Sequence, residues 1–252
     1  MTRPRILFIT AISPFSPNNG SSLRVAALLE SLKESWDITL FLLSSNHSRD
    51  VSGAKQIEGE RMRTLLLRNP MTSTKARLKW LTSTSPLKIC FGNFRAVAEY
   101  ASAISQLRGQ TFDLIFCSEL EGLPVLKDLQ VNPSQCWVDL QNWYPEWFKS
   151  FCKSRSWIHR LYGQASCWKQ ERYERQFLPA ASNITCVSDQ DRAEASKAFP
   201  THFVHVISNG YATRFLNAAL QAESKLQQAS DFLFVGSLDI EMNVAGVEWL
   251  VT

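Results

Sequence analysis

No apolar run in the sequence approaches the ~18 residues that a membrane-spanning helix needs. The N-terminal stretch "ILFITAI" is broken by Pro14, which argues against a cleaved export signal as well. The six cysteines, Cys90, Cys117, Cys136, Cys152, Cys167 and Cys186, form no C-x-x-C pair, and no histidine stands at metal-ligand spacing from them. A structural zinc and a disulfide framework are therefore not expected, and the thiols read as reduced core or surface groups of a cytosolic protein. G-x-G-x-x-G is also missing, so a dinucleotide cofactor has little support. Disorder is excluded by composition, since 45% of the 252 residues are apolar and 20% charged.

Acidic residues are unevenly absent. Between Arg61 and Ala98 there are eight Lys or Arg and no Asp or Glu; between Lys149 and Gln170 there are five bases and no acid. After Arg214 only Lys225 stands against five acids. Within a net charge of +4, this distribution points the first part toward an anionic substrate or membrane surface, or leaves it a solvated basic face.

"RILFITAI" (5–12) has the short continuous apolar run of a buried parallel strand. A helix is predicted over Ser21 to Leu32, a second strand over Trp36 to Ser44, and a polar loop from Asn46 to about Gly59. Further strands are predicted at Arg63–Arg68, Phe112–Cys117, Gln135–Leu140, Asn183–Ser188 and His202–Ser208. Long helices are expected over 87–107 and 154–178, and another over Asp189–Ala198. Strands alternating with helices imply a doubly wound, Rossmann-like parallel sheet. "DFLFVGSL" (231–238) then starts a new strand and "NVAGVEWLVT" a new helix. The organisation read from this is an N-terminal Rossmann-like domain over 1–215, a linker over 216–230, and the beginning of a second Rossmann-like domain over 231–252, truncated after it starts.

In an open α/β sheet the strand-to-helix junction is the floor of a ligand crevice. Gly20 stands at the first such junction, where a bare backbone lets an anion approach the N–H groups of a helix start. Arg24, one turn on, is a candidate for a charge-assisted contact with a phosphate or carboxylate.

The order "ILFIT…P-x-x-P-N-N-G-S-S-x-R", "VDLQNWYPEWF", "ERYERQFLPAASNITCVSDQDR", "VISNG" and "FLFVGSLDIEMNVAGVEWL" resembles the GT-B glycosyltransferases of family 4 through nearly the whole chain. The resemblance implies two Rossmann-like domains across a cleft, an N-terminal one receiving the acceptor and a C-terminal one holding most of a nucleotide-sugar donor, with no metal or other cofactor. It implies transfer of the sugar to a saccharide or lipid-linked acceptor at the cytoplasmic face of the membrane. The basic stretches would suit peripheral contact with anionic lipid there, and since no nucleic-acid-reading motif or aromatic β-platform accompanies them, no nucleic acid is expected as a partner. Acceptor- or phosphate-side roles fall on Gly20, Arg24, Gln141, Asn142, Ser188, Asn209 and Gly210, and donor-side roles on Gly236, Ser237 and Asn243. Two departures bear on activity. Gln141 occupies the place of a common histidine and cannot serve as a general base at neutral pH. The E-x7-E region with the donor-contacting glutamates would lie beyond Thr252, so an incomplete, inactive chain is expected. The alternative is a non-catalytic acceptor-binding module, or half of a split enzyme working with a separate donor domain.

Glu119, Glu121 and Asp139, at strand ends, are candidates to position an acceptor, or else capping or solvated carboxylates. His159, His202 and His205 read as structural. Trp143, Trp147, Trp157 and Trp168 interleave with Lys149, Lys153, Arg155 and Arg160, a pattern that suits a membrane interface and equally suits helix-on-sheet packing.

Overall fold

The computed structural model describes residues 3–15, 17, 19–57, 59, 61–143, 148, 157–210 and 241–251. The chain divides into two units, Met1–Gly210 and Tyr211–Thr252. In the first, seven strands form one parallel sheet: β1 (Arg5–Thr10), β2 (Asp37–Ser44), β3 (Met62–Arg68), β4 (Leu114–Ser118), β5 (Cys136–Leu140), β6 (Asn183–Cys186) and β7 (Phe203–Val206). Their order is β3-β2-β1-β4-β5-β6-β7, the doubly wound α/β arrangement, with the winding reversing between β1 and β4. The fold expected from the alternation of elements is the one observed.

Why the strands read as unbroken apolar runs is clear from β1. Leu7 and Ile9 point into one core and Ile6 and Phe8 into another, all four fully buried. Helices α1 (Gly20–Leu32) and α2 (His47–Ile57) cover the second core through Val25, Leu29 and Ala54. The first core is covered by α4 (Leu87–Phe91), α5 (Tyr100–Arg108), α6 (Leu123–Leu129), α7 (Trp157–Phe177) and α8 (Asp189–Ala198). A sheet so covered on both faces has no use for a polar alternation.

Three expectations change. Within the segment 46–59, expected as a loop, His47–Ile57 is helix α2, anchored by the buried carboxylate of Asp50 rather than by an apolar stripe. Ser13 Oγ and Ser44 Oγ each donate to that carboxylate at 2.6 Å. The single helix expected over 87–107 is three pieces, α4, a 3-10 turn at Phe94–Ala96, and α5. Gly92 ends α4 where a Cβ would come within 2.5 Å of Glu121 Cγ, and the chain turns so that Phe94 enters the core beside Phe41. A helix not anticipated from the sequence, α3 (Ser73–Thr82), precedes α4; the Thr72 hydroxyl accepts from Lys75 N to cap it.

Cys90, Cys117, Cys136 and Cys186 are buried free thiols, Cys167 is half-buried with its Sγ 3.5 Å from Glu171 Oε1, and Cys152 lies outside the described residues. Burial pushes the thiols of Cys136 and Cys186 up to about 12, the protonated and unreactive state. In the second unit the described residues form α9 (Glu241–Val251), which contains Asn243 and exposes Trp249 and Val251. The predicted strand 231–238, with Gly236 and Ser237, lies outside the described residues. Among the described residues no helix is long and apolar enough to cross a membrane.

Gly122, at the junction of β4 and α6, is closely packed. A Cβ there would sit 2.3 Å from Cys117 Sγ and 2.8 Å from Ile9 Cγ2. Gly122→Ala is expected to destabilise the unit by about 1–3 kcal/mol through overpacking. Urea denaturation checks it: Cys117→Ala in the same chain should restore part of the loss, and an unchanged midpoint for the single variant would refute the close packing.

Candidate functional site

At the carboxyl ends of the strands the register lines up Thr10, Ser118, Asp139 and Thr185 across four neighbouring strands. Asp139 is fully buried and is the hub of this row. Its carboxylate accepts two bonds from Arg24, from Nε at 2.9 Å and from Nη2 at 2.7 Å, and a third from Thr185 Oγ1 at 2.6 Å. Its carbonyl oxygen accepts from Glu119 N at 2.9 Å. Arg24 Nη1 in turn donates to the Ser208 carbonyl at 3.3 Å and to Asn209 Oδ1 at 3.1 Å. Four of the five guanidinium N–H groups are thereby used. Arg24 is a buried tie joining α1 to β5 and to the segment after β7, and the contact it makes is with a carboxylate of its own chain.

The first loop is held from both sides. Asp50 binds Ser13, and Asn19 caps α1 in a reciprocal box, Ser22 N donating to Asn19 Oδ1 at 2.9 Å while Ser22 Oγ accepts from Asn19 N at 3.2 Å. Gly20 follows as the first residue of the helix, exposed, and a Cβ built on it meets nothing within 4 Å. Of the other residues singled out in the sequence, Gln141 and Asn142 follow β5, the first buried and the second exposed. Ser188 caps α8 by accepting from Asp191 N at 3.1 Å. Asn209 and exposed Gly210 follow β7. The structure thus brings Gly20, Arg24, Gln141, Asn142, Ser188, Asn209 and Gly210 to one end of one sheet. His205 stacks on Trp137 and His202 packs edge-on against Phe199, in keeping with structural histidines.

The carboxylates after β4 are neither capping groups nor solvated. Glu119 and Glu121 are both buried, and both face Lys88 Nζ, at 2.9 Å from Glu119 Oε2 and 3.6 Å from Glu121 Oε1. Glu119 has φ of 69°, an uncommon conformation for a residue with a side chain. Cys117 Sγ donates to its carbonyl at 3.2 Å, so both of its backbone polar groups are held. Ser118 Oγ, Glu119 Oε1, Glu121 Oε2 and Gln141 Nε2 are buried without a hydrogen-bond partner among the described residues. Such atoms are rare in a folded chain, and these four gather at the ends of β4 and β5. Burial raises the Glu121 carboxyl to about 7, with neighbouring Glu119 adding to the rise and Lys88 opposing it. Glu174 on α7, accepting from Gln170 Nε2 at 2.8 Å, is likewise raised by burial to about 7.

No group of acidic, histidine or cysteine side chains among the described residues is arranged to hold a metal ion. No family model matches the chain. No curated protein matches it either. Solved structures similar to it include Arabidopsis thaliana UGT89C1 complexed with UDP-L-rhamnose, at 13% identity over 88% of this chain and 55% of the other, with a TM-score of 0.47. A UDP-glucosyltransferase from Polygonum tinctorium capable of glucosylating indoxyl is 11% identical over 87% and 56%, at 0.45. The N-terminal domain of Candida albicans trehalose-6-phosphate phosphatase is 12% identical over 90% and 54%, at 0.48. The chain spans about half the length of each of these.

Two outcomes follow from the charges. Asp139→Asn leaves Arg24 buried against a neutral partner and is expected to cost about 3–5 kcal/mol in chemical denaturation, whereas Arg24→Met with Asp139→Leu should cost clearly less; equal losses would refute the pairing. Glu121 ionises near 4.5 when exposed and about 7 in the fold. Its contribution to stability is therefore fully present below about 4.5, falls as the pH rises to about 7, and is constant above. Glu174 acts in the same direction over the same range. Glu121→Gln and Glu174→Gln should each flatten that slope in melting curves, and unaltered slopes would contradict the assignment.

Proposed function

We propose that the chain is the acceptor-side Rossmann-like part of a GT-B glycosyltransferase of family 4 type, moving a sugar from a nucleotide-sugar to a saccharide or lipid-linked acceptor. The observation that carries the reading is the convergence on Asp139. Segments that the sequence resemblance marks separately, after β1, β5 and β7, are bound to one another through Arg24 and Asp139 at the crevice end of the sheet. A tie at that edge between residues so far apart in sequence supports a shared site there, since the carboxyl ends of the strands are where an open α/β sheet binds its ligands.

Glycosyl transfer builds positive charge on the sugar and negative charge on the departing diphosphate, so fixed N–H groups and cations do more than any nucleophile. The first turn of α1 supplies N–H groups at the positive end of a 13-residue helix, beside a glycine that leaves its approach bare. In this reading Arg24 is a positioning residue, because its donors are occupied within the chain. Gln141 Nε2, buried and without a partner among the described residues, is a hydrogen-bond donor for the acceptor or the transferred sugar. Gly236, Ser237 and Asn243 take the donor-side roles, and the diphosphate is stabilised without a metal.

The basic, apolar-tipped outer surface of α3 and α7 supports peripheral contact with anionic lipid on the cytoplasmic face. Leu78, Leu81, Trp157, Leu161 and Trp168 are exposed there among Lys75, Arg77, Arg160 and Arg172. One observation favours a second reading, a non-catalytic acceptor-binding module: Gln141 has no protonation chemistry to offer.

The test is nucleotide release. The chain, supplied with a GT-B donor-binding domain, is incubated with UDP-, GDP- and ADP-linked hexoses, a lipid extract and EDTA, and liberated nucleoside diphosphate is measured. Acceptor-dependent release is expected, falling about tenfold or more in Gly20→Leu with the melting temperature held, since Gly20 is exposed and a Cβ built on it meets nothing within 4 Å. Acceptor binding without release from any donor would favour the second reading, and neither binding nor release would sink both.

A further inference from the structure

A cavity of about 450 Å3 lies between α3, α4 and α7, within the size range of small-molecule sites. Leu87 and Phe91 from α4, Tyr162 from α7 and Ala76 from α3 give it apolar and aromatic walls. Its charged lining is cationic, Arg77 and Lys88, with no acidic side chain among the lining residues. The two cations are not equivalent. Lys88 Nζ is engaged by Glu119 and Glu121, whereas Arg77 pairs with no carboxylate among the described residues. Gln170 also lines the cavity and is buried; its Nε2 donates to Glu174, and its carboxamide oxygen accepts from no described residue. The cavity thus combines apolar walls with one uncompensated cation and one unused acceptor.

We infer that this cavity binds a compact ring-bearing anion: an aromatic or alicyclic body against Phe91 and Tyr162, one acidic group toward Arg77, and a hydroxyl or N–H for Gln170. A plain saccharide is a poor match, because sugar hydroxyls in number need polar partners that Ala76, Leu87 and Phe91 do not offer. A neutral hydrocarbon would leave the guanidinium without a counterion. Describing the ligand as the acceptor rests on the glycosyltransferase reading; its binding does not.

The probe is 1-anilinonaphthalene-8-sulfonate, a ring-bearing monoanion, titrated by fluorescence into the 252-residue chain alongside uncharged N-phenyl-1-naphthylamine. One saturable site for the sulfonate is expected. Arg77→Gln, at an exposed position, should weaken the sulfonate about fivefold, a typical loss for a partly solvated charge contact, and change the uncharged probe by less than about twofold. Two filling variants, Ala76→Trp and the less buried Leu87→Trp, should each abolish binding of both probes, and whichever melts as the parent does is used. A filling variant that melts normally and still binds the sulfonate would overturn the site. An Arg77→Gln chain that treats the two probes alike would overturn its anion preference. No donor turnover enters the measurement, so its failure and that of the glycosyltransferase reading are told apart.

Discussion

The buried pair of Arg24 and Asp139 is the constraint on which the crevice end of the sheet depends. Taking both charges out of water costs several kcal/mol per ion, and a well-packed apolar pair of similar volume is often no less stable. What an apolar pair cannot do is fix direction. The two parallel N–H bonds set the rotation of α1 about its own axis relative to β5, while Nη1 holds the carbonyl of Ser208 and the side chain of Asn209. Thr185 completes the carboxylate from β6. The pair is thus better understood as a device for geometry than as a source of stability.

On the other side of the same strand ends the polar groups are arranged less economically. Glu119 holds a positive φ because its N–H is committed to the Asp139 carbonyl and its carbonyl to the Cys117 thiol, and backbone strain of this kind costs about 1–3 kcal/mol. The outcome is that Glu119 and Glu121 both turn inward to share one lysine, with Glu121 held by burial near neutrality. Strain, unpartnered carboxylate oxygens and a raised ionisation coincide where a doubly wound sheet reverses its winding. Lys88, which faces both glutamates, also lines the cavity beside α3 and α7.

All seven strands of the sheet were legible from the sequence: the inner ones, such as β1 and β2, are buried on both faces and read as unbroken apolar runs, while edge strand β7, with Phe203 exposed, is read from the short run "HFVHVIS" that closes the alternation of strands and helices. Helix α2 was not, since its inward anchor is Asp50 and a buried carboxylate reads as surface when its serine partners lie 37 and 6 positions away in the chain. The break in the segment 87–107 depends on Glu121 crowding Gly92, a contact no periodicity reveals. At the site, the positions of Gly20, Gln141, Ser188 and Asn209 at strand ends followed from the motif order. The partner of Arg24 did not, because a guanidinium and a carboxylate 115 residues apart leave no local signal. Nor did the cavity, whose lining comes from three helices, one of them unanticipated.

Gly20 and Gly122 show how differently two strand-to-helix glycines are explained. Gly122 is demanded from within: Cys117 and Ile9 occupy the space a side chain would need. At Gly20 nothing inside the unit occupies it. Glycine in a helix costs backbone entropy that alanine would save, of order 0.5–1 kcal/mol in an interior turn and less at a first position. Backbone strain does not require it either, since Gly20 has no positive φ. Packing and backbone conformation thus both leave Gly20 unexplained, on a loop anchored by Asp50 and Asn19 and followed by the buried tie of Arg24; the proposed function would explain it by what approaches from solvent.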